Sequence, residues 1–207
     1  MLSAGAPLDR APAAVLALHG RGAGARDILV LCMELERPGL AYLAPEADGG
    51  AWYPMSFLAP LADNEPYLSR ALAAVGAGLA DLERAGLAAE RVVLLGFSQG
   101  ACLATEYVAR SARRYGGLVG LSGGLIGPPG TPRDYAGSLE GTPVFLGCSD
   151  PDPHIPRERV LETAEVLRRL GGAVTDRLYP ALGHTVNEDE LEAVRSLLDA
   201  LVSPRSG

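Results

Sequence analysis

The sequence contains no lysine, because all 18 of its basic residues are arginine. This absence excludes chemistry that depends on a lysine amine, such as a Schiff base, a pyridoxal-phosphate anchor, a phosphate-loop lysine or the strand lysine of kinases. Acidic residues outnumber basic ones, and the formal net charge is −7. No arginine cluster with interleaved aromatic residues offsets that charge, so we expect no nucleic-acid partner.

Cysteine and long apolar runs are also scarce. The cysteines Cys32, Cys102 and Cys148 are widely spaced and form no CxxC pair, which predicts reduced thiols rather than a disulfide framework. No apolar run reaches the roughly 18 residues of a membrane span, and residues 1–12 lack the pattern of a secretory signal. We therefore expect a cytoplasmic protein without stable membrane insertion.

The composition that remains is that of a folded domain. Hydrophobic residues make up 48% of the 207 residues and charged residues 21%, which excludes intrinsic disorder. Gly and Pro together form about a fifth of the chain and predict many turns, below the roughly 25–30% of low-complexity sequence. The length predicts a single domain over residues 1–207.

Apolar runs alternate with segments of helical periodicity. Helices are predicted over residues 25–37, 65–85 (with Asn64 as the N-cap), 99–113 and 157–170, and a last helix is capped by Asn187. Strands are predicted over residues 13–19, 41–44, 92–97, 118–121, 143–147 and 173–179. This order predicts a three-layer α/β domain with a mostly parallel central sheet and helices on both faces. Ligands bind at the carboxyl ends of such strands, so functional residues are expected directly after them.

A serine follows the most strand-like segment of the chain, in the sequence Gly96-Phe97-Ser98-Gln99-Gly100. A serine in a sharp strand-to-helix turn exposes its hydroxyl above the sheet, and the flanking glycines leave room for the tight backbone. The following helix directs backbone N–H groups at a developing oxyanion. The motif arises easily by chance in a glycine-rich chain, but its position between a strand and a helix indicates a nucleophile rather than a solvated turn residue.

A serine hydroxyl is a weak nucleophile and needs a base that is itself oriented by a carboxylate. Two candidate acids, Asp150 and Asp152, follow the strand predicted over residues 143–147. His184 follows the next predicted strand, in a loop directly after a glycine. The strand-end positions therefore predict that a serine, a carboxylate and a histidine meet at one edge of the sheet, and the residues alone leave the two acids as alternatives.

The other two histidines have less specific interpretations. His19 is expected to be buried and hydrogen-bonded at a strand end, where it shapes the adjacent glycine loop. His154 either approaches a substrate or stabilises its own loop. Asp150, Asp152 and His154 lack the spacing of a zinc signature, so no metal ion is expected.

Four blocks of the sequence carry a resemblance to a known family. They are Leu18-His19-Gly20-Arg21-Gly22, the serine motif with Ala101, Asp152-Pro153-His154-Ile155-Pro156, and Gly183-His184. In this order they resemble the carboxylesterase/phospholipase group of α/β-hydrolases, which includes the acyl-protein thioesterases, and Trp52-Tyr53 resembles a further element of that group. The resemblance implies an α/β-hydrolase fold without a large lid domain, no cofactor, and a homodimer as a frequent assembly.

Residue roles follow from the same resemblance. It implies Ser98 as the nucleophile, His184 as the base and Asp152 as the orienting acid, because the family places an aspartate four residues before a proline. It also implies that the backbone N–H groups of Arg21 and Gln99 form the oxyanion hole.

Substrate-binding candidates lie in two loops. Trp52, Met55 and Phe57 belong to a long aromatic loop that either lines an acyl or aryl site or packs on itself. Leu125 belongs to the segment 121–129, which is expected to form part of a pocket wall. The guanidinium of Arg21 either favours an acidic substrate group or lies in solvent.

We interpret the sequence as a serine hydrolase that cleaves carboxylic esters of small or short-acyl substrates through an acyl-enzyme. Acyl-thioesterase and lysophospholipase activities are the alternatives within hydrolases. A remote alternative is an NAD(P)-dependent oxidoreductase, because residues 20–25 fit G-x-G-x-x-A and Glu46 or Asp48 lies at a distance suited to a ribose. That alternative leaves Ser98 and His184 without a role.

Overall fold

A seven-stranded sheet forms the centre of residues 1–203, the part of the chain that the computed structural model describes. The strands lie in the order β1-β3-β2-β4-β5-β6-β7, with β1 antiparallel to β3 and all other neighbours parallel. They are β1 (Leu2–Gly5), β2 (Ala13–Leu18), β3 (Leu40–Ala44), β4 (Val92–Phe97), β5 (Gly117–Leu121), β6 (Pro143–Asp150) and β7 (Ala173–Pro180).

Five α-helices cover the two faces of this sheet. They are α1 (Ala25–Glu34), α2 (Tyr67–Arg84), α3 (Gln99–Arg110), α4 (Arg157–Arg169) and α5 (Glu188–Val202). Strand β2 is buried along its whole length, and its alternate residues enter two separate cores. Its odd-numbered residues share a core with α1 and α5, and its even-numbered residues share one with α2, α3 and α4. This burial on both faces explains why polar and apolar residues do not alternate along the strand.

The predicted three-layer α/β architecture with a mostly parallel sheet is therefore confirmed. Strand β1 was not predicted, because it is a four-residue edge strand with a largely exposed pattern. Within the described residues, none of the helices is long and apolar enough to cross a membrane. The prediction of a single domain over residues 1–207 includes residues 204–207, which lie outside the described residues, and it stays a prediction.

Element ends differ from the prediction in several places. Helices α1 and α3 end three residues earlier than predicted, at Glu34 and Arg110. Strand β6 runs three residues further than predicted, to Asp150. The cap of α5 is as predicted: the Asn187 side chain accepts a hydrogen bond from the backbone N–H of Glu190 at 2.9 Å.

The predicted cap of α2 is wrong. Helix α2 begins at Tyr67, and Asn64 lies in a short 3₁₀ turn (Leu61–Asn64) that precedes it. The buried Asn64 side chain instead accepts a hydrogen bond from the backbone N–H of Met55 at 2.8 Å and donates one to the carbonyl of Ser56 at 3.0 Å. Asn64 therefore fixes the aromatic loop rather than the helix.

Candidate active site

Ser98 occupies the turn between β4 and α3. Its φ of 55° and ψ of −119° lie outside the regions that L-residues ordinarily adopt. A Cβ on Gly96 would overlap the backbone of Gly100, and a Cβ on Gly100 would overlap the carbonyl group of Leu18 in β2. Both glycines of the motif are therefore required by the close approach of α3 to the sheet, and this approach leaves the serine hydroxyl facing a cavity.

The structure brings the hydroxyl of Ser98, the imidazole of His184 and the carboxylate of Asp152 into one hydrogen-bonded chain. His184 Nε2 lies 2.8 Å from Ser98 Oγ, and His184 Nδ1 lies 2.8 Å from Asp152 Oδ2. The three residues follow β4, β6 and β7, so they reach one edge of the sheet from separate parts of the sequence.

The carboxylate of Asp152 is buried and held on both oxygens. Its Oδ1 accepts hydrogen bonds from the backbone N–H groups of His154 at 2.8 Å and Ile155 at 3.0 Å, while Oδ2 faces His184. Burial acts to raise the pKa of Asp152, but the hydrogen bonds from His184 and the two backbone groups outweigh it, so this pKa is lowered. Asp152 is thus kept ionised beside the imidazole.

Asp150 is directed elsewhere. Its carboxylate forms an ion pair with Arg157 at 2.8 Å and makes no contact with His184. Of the two acids that the residues alone left as alternatives, the structure brings Asp152 to the histidine.

The loop after β2 lies against the serine. A Cβ added to Gly20 would lie 3.4 Å from the Cβ of Ser98. The backbone N–H of Arg21 in this loop, and that of Gln99 at the start of α3, donate to no acceptor among residues 1–203. Two free donors therefore flank the serine, as an oxyanion hole requires.

His19 and Trp52 support this loop from behind. His19 is buried; its Nδ1 lies 2.8 Å from the carbonyl of Gly20, and its Nε2 accepts a hydrogen bond from the backbone N–H of Ala47 at 3.0 Å. The second contact requires the neutral ring to carry its proton on Nδ1. Trp52 donates from Nε1 to the carbonyl of His19 at 2.8 Å.

A cavity of about 370 Å³ opens beside Ser98. It is lined by Arg21, Tyr53, Ser56, Phe57, Ser98, Gln99, Cys102, His154, Ile155 and His184. Of the four predicted substrate-binding side chains, Phe57 lies here. Trp52 is buried behind the loop, Met55 is half exposed outside the cavity, and Leu125 is fully buried in the core.

The segment 121–129 was expected to form part of a pocket wall, and none of its residues lines this cavity. The reason is a set of hydrogen bonds that hold the segment against α4. The backbone N–H of Leu125 donates to Thr163 Oγ1 at 2.9 Å, and the carbonyl of Gly127 accepts from Arg159 at 2.7 Å.

Two side chains have a role that sequence reasoning missed: they hold the aromatic loop in place. Arg21 donates to three consecutive carbonyls, of Tyr53, Pro54 and Met55, at 2.8, 2.9 and 2.7 Å. Gln99 donates to the carbonyl of Tyr53 at 2.9 Å, and its Oε1 accepts from the backbone N–H of Trp52 at 3.0 Å. The sequence offered one sign of this role: Arg21 and Gln99 have polar side chains, although only their backbone N–H groups were expected to act in the oxyanion hole.

Tyr53, Ser56, Cys102 and Ile155 also line the cavity without having been predicted as substrate contacts, and so does His154, for which substrate contact was one of two alternatives. The ring of His154 lies edge-on to that of His184, with centroids 4.8 Å apart. Burial raises the pKa of the Cys102 thiol to about 12, so this cysteine is a protonated wall residue rather than a nucleophile. Within residues 1–203, no group of three or more His, Cys, Asp or Glu side chains is arranged to hold a metal ion.

Comparison with known proteins identifies the family of this chain. The family model described as phospholipase/carboxylesterase matches residues 5–202. The chain belongs to this family. A phospholipase/carboxylesterase from Dyadobacter fermentans has a structure with a TM-score of 0.92 and 43% identity, and the match covers 95% of both chains. The structure of esterase PE8 gives a TM-score of 0.80 with 26% identity, covering 97% of this chain and 98% of that one.

Among curated proteins, acyl-protein thioesterase 1 of Gibberella zeae is 32% identical over 127 residues, which is 58% of this chain. The match spans about half the length of that relative, 52%. The family membership and the structural neighbours show an α/β-hydrolase fold, as the sequence resemblance implied.

The dinucleotide-binding interpretation of residues 20–25 does not hold in this fold. A dinucleotide would place its pyrophosphate at the N-terminus of the helix after the glycine loop. Glu46 takes that place: its Oε2 accepts a hydrogen bond from the backbone N–H of Ala25, the first residue of α1, at 3.0 Å. A second negative group there would be repelled.

Proposed function

We propose that this protein is a serine hydrolase that cleaves carboxylic esters of small or short-acyl substrates through an acyl-enzyme. The observation that supports it most strongly is the chain of two 2.8 Å hydrogen bonds from Ser98 through His184 to Asp152. Membership of the phospholipase/carboxylesterase family supports the same reaction class.

In the proposed mechanism, Ser98 Oγ attacks the carbonyl carbon of the ester while His184 Nε2 takes its proton. The buried carboxylate of Asp152 stabilises the imidazolium that forms. When the tetrahedral intermediate collapses, the bond to the leaving oxygen breaks and His184 returns the proton to that oxygen. Water then attacks the acyl-enzyme with His184 again as base, which releases the acid and restores the serine.

The backbone N–H groups of Arg21 and Gln99 are proposed to bind the oxyanion of both tetrahedral intermediates. Neither group donates to an acceptor among residues 1–203, and the N-terminus of α3 adds a favourable dipole. Donors of this type are worth more to the transition state than to the ground state, because charge develops on the oxygen only during the reaction.

The size of the cavity supports short acyl groups. Its volume of about 370 Å³ is near the lower end of the 300–1,000 Å³ range of small-molecule sites. Phe57, Ile155 and Tyr53 give it apolar walls, and the buried Cys102 lies among them.

The test is hydrolysis of p-nitrophenyl esters from acetate to palmitate by the wild type and two matched pairs of variants. We expect a maximum at short chains, with kcat reduced by about 10⁴-fold or more in Ser98→Ala and about 10⁴-fold in Asp152→Asn. The controls Ser111→Ala and Asp150→Asn should keep wild-type rates. An active Ser98→Ala variant would overturn the mechanism.

The same assay separates the other hydrolase activities. The similarity to acyl-protein thioesterase 1 favours an acyl-thioester substrate as the second candidate. A maximum at long acyl chains would support thioesters or lysophospholipids, which are then compared directly as substrates.

A further inference from the structure

One positive charge at the cavity is fixed in place without a negative partner. Arg21 lines the cavity beside Ser98, and its guanidinium is held by the carbonyls of Tyr53, Pro54 and Met55. These acceptors are neutral, and no carboxylate of residues 1–203 lies within 4.0 Å of it. Arg21 is an exposed residue, so three contacts define the position of its guanidinium while no carboxylate of the described residues neutralises it.

The other arginines near this cavity are paired. Arg159 lies behind Phe57, with its guanidinium carbon 5.8 Å from the ring centroid, and its Nε is 2.8 Å from a carboxylate oxygen of Glu162. Arg133 contacts the same carboxylate at 3.0 Å. Of these three arginines at or behind the cavity, Arg21 is the one that has no carboxylate partner among residues 1–203.

The cavity wall offers nothing to neutralise that charge. None of the ten residues that line the cavity is an aspartate or a glutamate. The carboxylate of Asp152 lies behind the imidazole of His184, is fully buried, and is already held by three hydrogen bonds. A guanidinium has five N–H donors, and the three carbonyls leave two of those of Arg21 for a ligand.

We propose that the guanidinium of Arg21 binds a carboxylate of the substrate, so that the preferred esters are those of short carboxylate-bearing acids or alcohols. The inference rests on the proposed function, because it assigns the substrate class of that same site. The backbone N–H of the same residue is the proposed oxyanion donor, and an extended arginine side chain reaches roughly 6 Å from its Cα. Because both contacts come from one residue, a short substrate can make them together.

The protein as a whole repels such a substrate. Its net charge of −7 disfavours the approach of any anion. A preference for anionic esters would therefore report a local contact rather than long-range attraction, which makes it a sharp test.

The experiment compares pairs of esters in which a neutral group replaces a carboxylate, and hydrolysis is followed by pH-stat titration at pH 7.5. Monomethyl glutarate against dimethyl glutarate, per ester group, tests a carboxylate on the acyl side. Acetoxyacetate against 2-methoxyethyl acetate tests one on the alcohol side. We expect kcat/KM to favour the anionic member of at least one pair by about tenfold or more.

Variants of Arg21 test whether its guanidinium causes the preference for the anionic ester. Arg21→Gln should bring that ratio to about one or below, and Arg21→Lys should keep most of it. The control Arg91→Gln removes one positive charge, hydrogen-bonded to the carbonyl of Pro12 at the opposite end of the sheet, and should leave the ratio unchanged. Equal rates within both pairs would overturn the inference, as would an Arg21→Gln variant that lowers both members equally.

Binding to Ser98→Ala separates this inference from the proposed function. Calorimetry should detect at least one of the two anionic esters, monomethyl glutarate or acetoxyacetate, bound to Ser98→Ala, and about tenfold weaker binding when Arg21→Gln is added. If the wild type hydrolyses no ester, the proposed function fails, while this binding result still supports or overturns the carboxylate site.

Discussion

Glu190 is a buried carboxylate whose ionisation costs folding free energy. It lies in the first turn of α5, where one oxygen accepts a hydrogen bond from the backbone N–H of Asn187 at 2.9 Å. Its other oxygen, Oε1, is buried without a partner among residues 1–203 and lies so close to Gly147 that a Cβ there would overlap it. Burial raises the pKa of Glu190 from 4.5 to about 7, against the opposing effect of the Asn187 hydrogen bond.

The sign of the effect follows from proton binding. Between pH 4.5 and 7 the folded protein binds more protons at this carboxyl than the unfolded chain does, so stability falls as pH rises through this window. Each pKa unit corresponds to about 1.4 kcal/mol, which gives a cost of about 3 kcal/mol once the carboxyl is ionised in both states. About 2 kcal/mol of that cost should develop between pH 5.5 and 8.5.

The substitution Glu190→Gln removes the charge and keeps an oxygen for the Asn187 hydrogen bond. We therefore expect the variant to be more stable than the wild type at pH 8.5, by up to about 3 kcal/mol, with the difference about 2 kcal/mol smaller at pH 5.5. The measurement is urea unfolding followed by circular dichroism at pH 5.5, 6.5, 7.5 and 8.5, with linear extrapolation to zero denaturant.

Glu192→Gln is the matched control, because Glu192 is on the same helix but its side chain is 70% exposed. Its stability difference from the wild type should stay nearly constant across the series. A Glu190→Gln variant whose stability difference does not change with pH, or that is the less stable protein at pH 8.5, would refute the reasoning.

Three further substitutions test other parts of the fold by urea unfolding at pH 7. Gly100→Ala should cost at least about 3 kcal/mol, because the new Cβ overlaps the carbonyl of Leu18; a fully stable variant would contradict this close packing. Asn187→Ala should cost about 1 kcal/mol through loss of the helix cap, and no loss would show that the cap is dispensable. Glu106→Gln should cost about 3 kcal/mol, since it removes a fully buried carboxylate 2.7 Å from Arg110, and a neutral effect would show that this pair contributes little.

Strand positions were predictable from the sequence where both faces of a strand are buried. Strand β4 matches its prediction at both ends, because its residues are apolar and flanking residues mark where burial stops. The edge strand β1 has no such pattern and is defined by pairing with β3, which is information from elsewhere in the chain. Asn64 shows a related limit: an asparagine before a helix has the composition of a cap, but its tertiary contacts with the aromatic loop determine its role.

The candidate site likewise has a part that could be predicted from the sequence and a part that could not. Ser98, Asp152 and His184 could be proposed because strand ends converge in a parallel sheet, so their type and order carry spatial information. Contacts with the cavity could not be predicted equally well. Trp52 and Phe57 belong to one loop, yet the ring of Trp52 lies behind it, hydrogen-bonded to the carbonyl of His19, while Phe57 lines the cavity. The sequence carries no sign of that hydrogen bond.

Arg21 and Gln99 both donate a hydrogen bond to the carbonyl of Tyr53. This arrangement has a consequence for changing the substrate specificity of the protein. The side chains that shape one wall of the cavity belong to the residues whose backbone N–H groups are proposed to bind the oxyanion, so redesign of this wall changes turnover together with substrate range. The part of the lining formed by His154 and Ile155 is different. His154 and Ile155 hold Asp152 through backbone N–H groups, and their side chains can be varied without removing those hydrogen bonds. The ring of His154 also packs against that of His184, so a library aimed at new substrates should start from Ile155.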